Sequence, residues 1–228
     1  MTERRARRGA ASLLALGLSG CLDLAHGAGP HLGCGDGGDN EPRVEAKRIA
    51  GRAQGVVRRE SKHVLSVRTA QGVLRFKDEP PYDEPLDGKH HYFCDRRDGF
   101  VLLQVEGGSD FTGVLIDEAD GKTIEAGKEV LFSNDRRAFF ARVQPDGLDG
   151  EAWTIRAADG TPSWSGYSFI EQRKGEIAAT LETPAWTDTG EFTATAQCLA
   201  DDKLRWKVKL TKAGGKWQWL PKRACPQS

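Results

Sequence analysis

The sequence predicts an all-β fold built from repeated units, and two observations carry that prediction. A turn with the sequence Ala119-Asp120-Gly121 is followed 39 positions later by Ala158-Asp159-Gly160. Apolar strand residues recur at the same step, as Val114, Trp153 and then Phe192. A period of roughly 20 to 50 residues that contains several short strands is typical of stacked β-units, because one such unit cannot bury its own apolar face.

A second strand repeats ahead of the first, at residues 101–105, 139–143 and 177–181, with a step of 38 residues. The Asp-Gly turns have a physical basis, since glycine supplies the positive φ angle that tight hairpins demand. In the third copy Ala200-Asp201-Asp202 stands in place of the Ala-Asp-Gly turn. Terminal repeats are often atypical, so this copy is expected to end the array.

The N-terminus predicts a secretory signal over residues 1–20. Four arginines precede the apolar run of residues 10–18, which is far shorter than the roughly 20 residues of a spanning helix. The sequence Leu18-Ser19-Gly20-Cys21 then resembles the lipobox of bacterial lipoproteins. That resemblance implies cleavage before Cys21 and lipid attachment to its thiol. The alternative is ordinary cleavage near Gly27, with Cys21 discarded.

Residues 21–43 are glycine-rich and predict a flexible tether, followed by one β-repeat domain at residues 44–228. Without residues 1–20 the chain holds 29 basic and 32 acidic residues, which gives no reason to expect nucleic acid as a partner. A membrane would be reached through the lipid only. The expected location is the bacterial cell envelope, facing the periplasm, and Leu22 after the lipid-bearing cysteine favours the outer membrane. A secreted or periplasmic protein is the fallback.

The remaining elements follow in chain order. Alternating residues predict a hairpin of strands at 64–67 and 73–76, and three prolines with five acids predict a surface loop at 78–89. A strand is expected at 90–94, ahead of the repeats. The clearest alternation lies at 204–210, where Gly214-Gly215 turns the chain into a final strand at 217–220. No segment shows sustained helical spacing, so helices should be scarce.

Residues 114–124 and 153–164 resemble blades of the PQQ-like and WD40-like β-propellers, in which an apolar strand precedes an Asp-Gly turn and a Trp follows. Only the second copy has the Trp, Trp164. The resemblance implies a small propeller-like or open-arc array of about four antiparallel β-units, and a β-sandwich is the alternative. It also implies a binding or scaffolding surface. It implies no quinone cofactor, and no cofactor of any kind is expected.

Four cysteines follow Cys21, and an even number in an exported chain predicts disulfides. Three pairings are possible. We favour Cys34 with Cys94, which would pin the tether to the domain, and Cys198 with Cys225, which would staple the last strands. A competing interpretation is that two His-x-x-Cys pairs together form a tetrahedral zinc site. Its ligands would be His31, Cys34, His91 and Cys94.

Two further groups of residues have a binding interpretation. Asp146, Asp149 and Glu151 could hold calcium in a glycine-bearing loop, although an acidic hairpin loop needs no ion to explain it. The second group combines Trp164 with a basic stripe on one strand. The stripe could meet an acidic partner, and its alternative role is to guard a sheet edge against aggregation. Its residues are Arg205, Lys207 and Lys209.

The sequence contains no Gly-x-Ser-x-Gly, His-Glu-x-x-His or phosphate-loop motif, so the enzyme question stays open with a non-catalytic domain preferred. The function expected is that of a lipid-anchored envelope protein that binds another envelope protein or a cell-wall component, as a scaffold or adaptor. Two alternatives belong to other classes. One is an inhibitor or immunity protein that blocks a toxin or hydrolase. The other is a hydrolase whose active site is assembled from distant strands.

Overall fold

Four antiparallel sheets and one short helix form the part of the chain that the structure describes. The structure is a computed structural model, and it describes residues 29–35, 41–82, 87–108, 110–144, 151–173 and 175–226. Each sheet consists of strands that follow one another in the sequence, and one N-terminal strand joins the third sheet from outside. The all-β class predicted from the sequence is confirmed.

The bounds of the elements are as follows. The first sheet contains β2 (Val57–Ser61), β3 (Val64–Thr69) and β4 (Gly72–Lys77). The second contains β5 (Lys89–Arg97), β6 (Phe100–Gly107), β7 (Asp110–Asp117) and β8 (Thr123–Ala126). The third contains β9 (Glu129–Phe132), β10 (Ala138–Val143), β11 (Ala152–Ala157) and β12 (Pro162–Tyr167), with β1 (His31–Gly33) beside β9. The fourth contains β13 (Phe169–Arg173), β14 (Glu176–Trp186), β15 (Phe192–Cys198), β16 (Arg205–Ala213) and β17 (Lys216–Leu220). The helix α1 (Pro42–Arg52) precedes the first sheet.

The residues that recur in the sequence occupy the same place in three successive sheets. Val114 lies in β7, Trp153 in β11 and Phe192 in β15, and each of these is the third strand of its sheet's meander. The strand that repeats every 38 residues is the second in each, as β6, β10 and β14. The recurring turn joins the third strand to the fourth. The sequence period therefore corresponds to one antiparallel sheet per repeat.

Three hydrophobic clusters lie between successive sheets. The first joins Leu65 of β3 to Val101 of β6, and the second joins Leu102 of β6 to Phe139 of β10. The third joins Phe140 of β10 to Phe192 of β15, whose rings stack with centroids 5.0 Å apart. Consecutive residues of β6 and β10 thus point into different cores. Because both faces of these strands are buried, their sequences are apolar runs without alternation.

The structure corrects the predicted tether of residues 21–43 and the domain start at Val44. Strand β1 pairs with β9, the side chain of Leu32 is fully buried, and Cys34 is disulfide-bonded, so residues 29–35 belong to the folded domain. One apolar residue and one cysteine are enough to fix this short strand in a glycine-rich segment. The helix α1, which the sequence did not predict, already begins at Pro42. Residues 21–28 and 36–40 lie outside the described part.

Candidate binding groove

The two predicted disulfides are present. Cys34 is bonded to Cys94 and Cys198 to Cys225, which confirms the pairing favoured from the sequence. The zinc interpretation is therefore wrong, since both of its sulfurs are used in a disulfide. Its two histidines have other partners: His31 Nε2 lies 3.0 Å from Glu129 Oε1, and His91 Nδ1 lies 3.3 Å from Asp78 Oδ1. No group of residues with metal-ligand geometry occurs in the described ranges.

The structure describes only some of the other residues predicted to be functional. Cys21, Asp146 and Asp149 lie outside the residues that the structure describes. Glu151, the third calcium candidate, lies 3.4 Å from the Arg142 guanidinium. That contact is an ion pair, so Glu151 has a protein partner without a metal ion.

The predicted basic stripe lies on the outer face of the fourth sheet. Arg205, Lys207 and Lys209 alternate along β16 with side chains that are buried in the third core. Lys209 Nζ lies 2.6 Å from Glu191 Oε1, and Lys207 Nζ donates a hydrogen bond of 2.9 Å to Thr195 Oγ1. Hydrogen bonds and ion pairs across the strands therefore use most of these charges. The stripe lines none of the cavities described below.

A groove of about 640 Å³ lies at the two edges of the fourth sheet. Residues of β13 and of β17 line it, and these are the first and the last strand of that sheet. Because the two edge strands border the same space, the sheet is strongly curved. The C-terminal residues 222–224 complete the lining. Among the described residues, β13 pairs only with β14 and β17 only with β16. Each edge therefore has backbone donors and acceptors without a strand partner.

Aromatic rings form one wall of the groove. Tyr167 and Phe169 stack nearly parallel, with ring centroids 5.0 Å apart and an interplanar angle of 8°. Tyr167 is 56% exposed, so much of its ring is accessible to a ligand in the groove. Trp219 lines the groove too, and its ring meets Trp164 edge to face at 5.8 Å. Trp164, predicted as a binding residue, thus supports a groove residue and does not itself line the groove.

Charged and amide side chains surround the aromatic wall. Glu171 and Gln172 extend from β13, Gln218 from β17, and Lys222 with Arg223 from the C-terminal segment. Of these, the three charged side chains are exposed and have no ion pair within the described residues. The groove thus combines an apolar wall with polar groups at its rim, the usual composition of a binding site.

A smaller cavity of about 270 Å³ beside α1 is lined by several acid–base groups. His63 and His90 line it together with Tyr92, and burial raises the pKa of Tyr92 to about 12. Next to it, burial lowers the pKa of His91, against the opposing effect of Asp78. None of the residues described as lining this cavity is Ser, Thr or Cys. The cavity therefore brings histidine, tyrosine and carboxylate side chains together, which can donate and accept protons.

The residues that form the aromatic wall of the groove were not predicted from the sequence. Tyr167 and Phe169 are separated by one residue, which is the spacing of side chains on one face of a strand. Here they belong to different strands, β12 and β13, in different sheets. The pair of aromatic residues Tyr167 and Phe169, in a segment without alternating apolar residues, was the one sequence feature that pointed to this wall of the groove. The closure of the fourth sheet, which brings β17 close to them, has no counterpart in the sequence.

No helix among the described residues is long and apolar enough to cross a membrane. Two disulfides indicate that the chain folds in an oxidising compartment outside the cytoplasm. Comparison of the chain with protein-family models, with curated proteins and with solved structures found no match.

Proposed function

We propose that this chain is a lipid-anchored envelope adaptor that binds an extended segment of a partner protein in the groove between β13 and β17. The single observation that carries the proposal is the pair of unpaired strand edges that border one aromatic-walled groove. An extended peptide that enters such a groove pairs its backbone with an edge strand, and alternate side chains fill the apolar space.

The shape of the groove favours a peptide strand over other occupants. A strand supplies hydrogen-bond partners for the unpaired backbone donors and acceptors of β13 and β17, whereas a glycan or a lipid chain supplies no matching ladder. The charges at the rim of the groove favour particular side chains in the peptide. Lys222 and Arg223 belong to the C-terminal segment, and Glu171 belongs to β13. We expect a segment with an apolar or aromatic residue flanked by acidic residues.

The anchor and the architecture belong to the same proposal. Attachment through Cys21 follows from the lipobox resemblance, and the disulfides support an envelope location. The four sheets are proposed to form a short propeller-like arc. Successive sheets face each other across three cores, and none of those cores contains residues of both the first and the fourth sheet. An open arc leaves the edges of its last sheet accessible.

The proposal is tested by photo-crosslinking in intact cells from a photoreactive residue at Gln172, on the rim of the groove. One protein adduct is expected. Tyr167→Ala should reduce the adduct at least tenfold, because truncating a central aromatic anchor costs about 2 kcal/mol of binding or more. Tyr82→Ala is the matched control, since Tyr82 is a second exposed aromatic residue, 41% accessible, that lies outside the fourth sheet and does not line the groove.

Hydrogen exchange of the captured complex tests the mode of binding. Backbone amides of β13 or β17 should exchange more slowly in the complex than in the free chain. Loss of the adduct in both alanine variants, an adduct with glycan alone, or protection confined to the basic stripe would each contradict the proposal. If the captured partner is an enzyme whose activity falls on binding, the adaptor acts as an inhibitor through the same groove.

A further inference from the structure

A second cleft is lined mostly by charged side chains. It lies where β1 meets the ends of β5, β9 and β10 and the C-terminal end of α1. Its volume is about 490 Å³. His31 and residues 33–35 line it, together with four cationic and two acidic side chains. They are Arg52, Arg97, Lys128, Arg142, Asp95 and Glu129.

Both acidic side chains already have cationic or hydrogen-bonding partners. Asp95 Oδ1 accepts a hydrogen bond of 2.9 Å from Arg52, and its side chain is 8% exposed. Glu129 lies 3.0 Å from His31 Nε2 through one oxygen and 3.0 Å from Arg142 Nε through the other. The hydrogen bond from His31 lowers the pKa of Glu129, and the charge of Arg142 lowers it further. Asp95 and Glu129 thus pair with Arg52 and Arg142, which are two of the four cations.

The other two cations form no ion pair with an acidic side chain among the described residues. Arg97 is exposed at the end of β5, and its side chain forms no ion pair or hydrogen bond with the described residues. Lys128 Nζ contacts only the amide oxygen of Gln144, at 3.2 Å. Arg142 also contacts Glu151, which approaches it from outside the lining of the cleft. The excess positive charge of the cleft is thus located at Arg97 and Lys128.

From this charge balance we propose that the cleft binds a phosphate group. Guanidinium and ammonium groups that come from separate elements surround the space, so they suit a tetrahedral anion with three or four acceptor oxygens. A carboxylate has two oxygens in one plane and would engage fewer of these donors. Partial burial strengthens the attraction relative to a flat surface, because the local dielectric is lower.

Two sources could supply the phosphate, a lipid headgroup or the free ion. The proposed anchor at Cys21 is ten residues before His31, so the chain between them spans at most about 35 Å when fully extended. If the anchor is present, the cleft lies within reach of headgroup phosphates. The cleft itself is independent of the peptide groove and of the anchor, since its residues belong to other elements.

The test is isothermal titration calorimetry of the full chain in non-ionic detergent with three probes. Inorganic phosphate represents the free ion, glycerophosphoglycerol represents a phosphodiester headgroup, and acetate is the carboxylate control. Binding of at least one phosphate probe is expected, at least tenfold tighter than acetate, and it should weaken as salt is raised from about 0.05 M to about 0.5 M. Tighter binding of the diester identifies a headgroup site, and tighter binding of inorganic phosphate identifies a site for the free ion.

Two variants decide whether the cleft is responsible. Arg97→Gln combined with Lys128→Gln should weaken phosphate binding at least tenfold, because each change removes one charge-assisted donor. Arg137→Gln is the matched control: its side chain is 87% exposed, outside the cleft, and the variant should bind as the wild type does. No binding of either phosphate probe, equal binding of acetate, or unchanged binding in the double variant would overturn the proposal. The peptide groove is unaffected by any of these outcomes.

Discussion

At the scale of single residues, His91 is the side chain whose environment makes stability depend on pH. It is buried between Asp78, with Nδ1 3.3 Å from Oδ1, and Phe76, with ring centroids 5.7 Å apart. Burial lowers the pKa of His91 below its ordinary value of 6.5, even though Asp78 favours the charged form. The unfolded chain therefore binds a proton here more readily than the folded chain does. The associated stability is present above about pH 6.5 and is lost as the pH falls through the folded-state pKa.

We therefore predict that His91→Gln flattens the pH dependence of stability. The wild type should lose stability as the pH is lowered from about 7.5 to about 5, and the variant should lose less over the same interval. Urea unfolding followed by tryptophan fluorescence at several pH values measures both slopes. His90→Gln is the control, because it removes the neighbouring, half-buried histidine and should leave the wild-type slope. Equal slopes for the wild type and His91→Gln would contradict the assignment.

Residue partners were predictable only where chemistry restricts the choice. The disulfides were predicted because four cysteines in an exported chain have three pairings. The buried Glu45–Arg59 pair was not, although its bidentate contacts of 3.0 and 2.6 Å connect α1 to the first sheet. Glu45 also accepts a hydrogen bond from the backbone of Phe93, 48 residues away. In the sequence, a charged residue that is buried looks the same as one on the surface.

At the scale of elements, predictions succeeded where alternation or an apolar run marks a strand. The hairpin of β3 and β4, the strand β5 and the final pair β16 and β17 are all present. Strand β2 was missed because Val57 is its only apolar residue. The helix α1 was missed for a related reason: its buried residue is Glu45, so it has no apolar stripe of helical period. Both elements are fixed by tertiary contacts and not by their own pattern.

The connection from the second sheet to the third depends on Gly127, between β8 and β9. A Cβ atom at this position would overlap the backbone carbonyl of Arg142, and the amide of Lys128 already donates to that same carbonyl at 2.9 Å. Gly127→Ala should therefore destabilise the chain by about 1 to 3 kcal/mol, since backbone cannot move aside as a flexible side chain can. Chemical denaturation gives the free energy of unfolding.

Gly51→Ala is the opposite control for that measurement. Gly51 lies in α1 with open space around its Cα, and alanine there should stabilise the chain by about 0.5 to 1 kcal/mol through lower backbone entropy in the unfolded state. If both alanine variants changed stability equally, the close approach at Gly127 would not be the cause.

At the scale of the whole molecule, the three separate cores suggest that stability is transmitted from sheet to sheet. The first core holds residues of the first and second sheets, and the third core holds residues of the third and fourth. If the sheets form the proposed open arc, each contacts only its neighbours, and the free energy is close to a sum of nearest-neighbour terms. Local opening can then occur at one end while the other end stays folded.

This arrangement predicts that core variants at the two ends have separate effects. Leu65→Ala, in the first core and fully buried, should speed native-state hydrogen exchange in β2, β3 and β4 and leave β14, β15 and β16 unchanged. Val208→Ala, 2% exposed in the third core, should do the reverse. Each truncation is expected to cost about 1 to 4 kcal/mol. If both variants accelerated exchange in all four sheets equally, the chain would be one cooperative unit, because a closed ring or a single shared core passes a local loss to every strand.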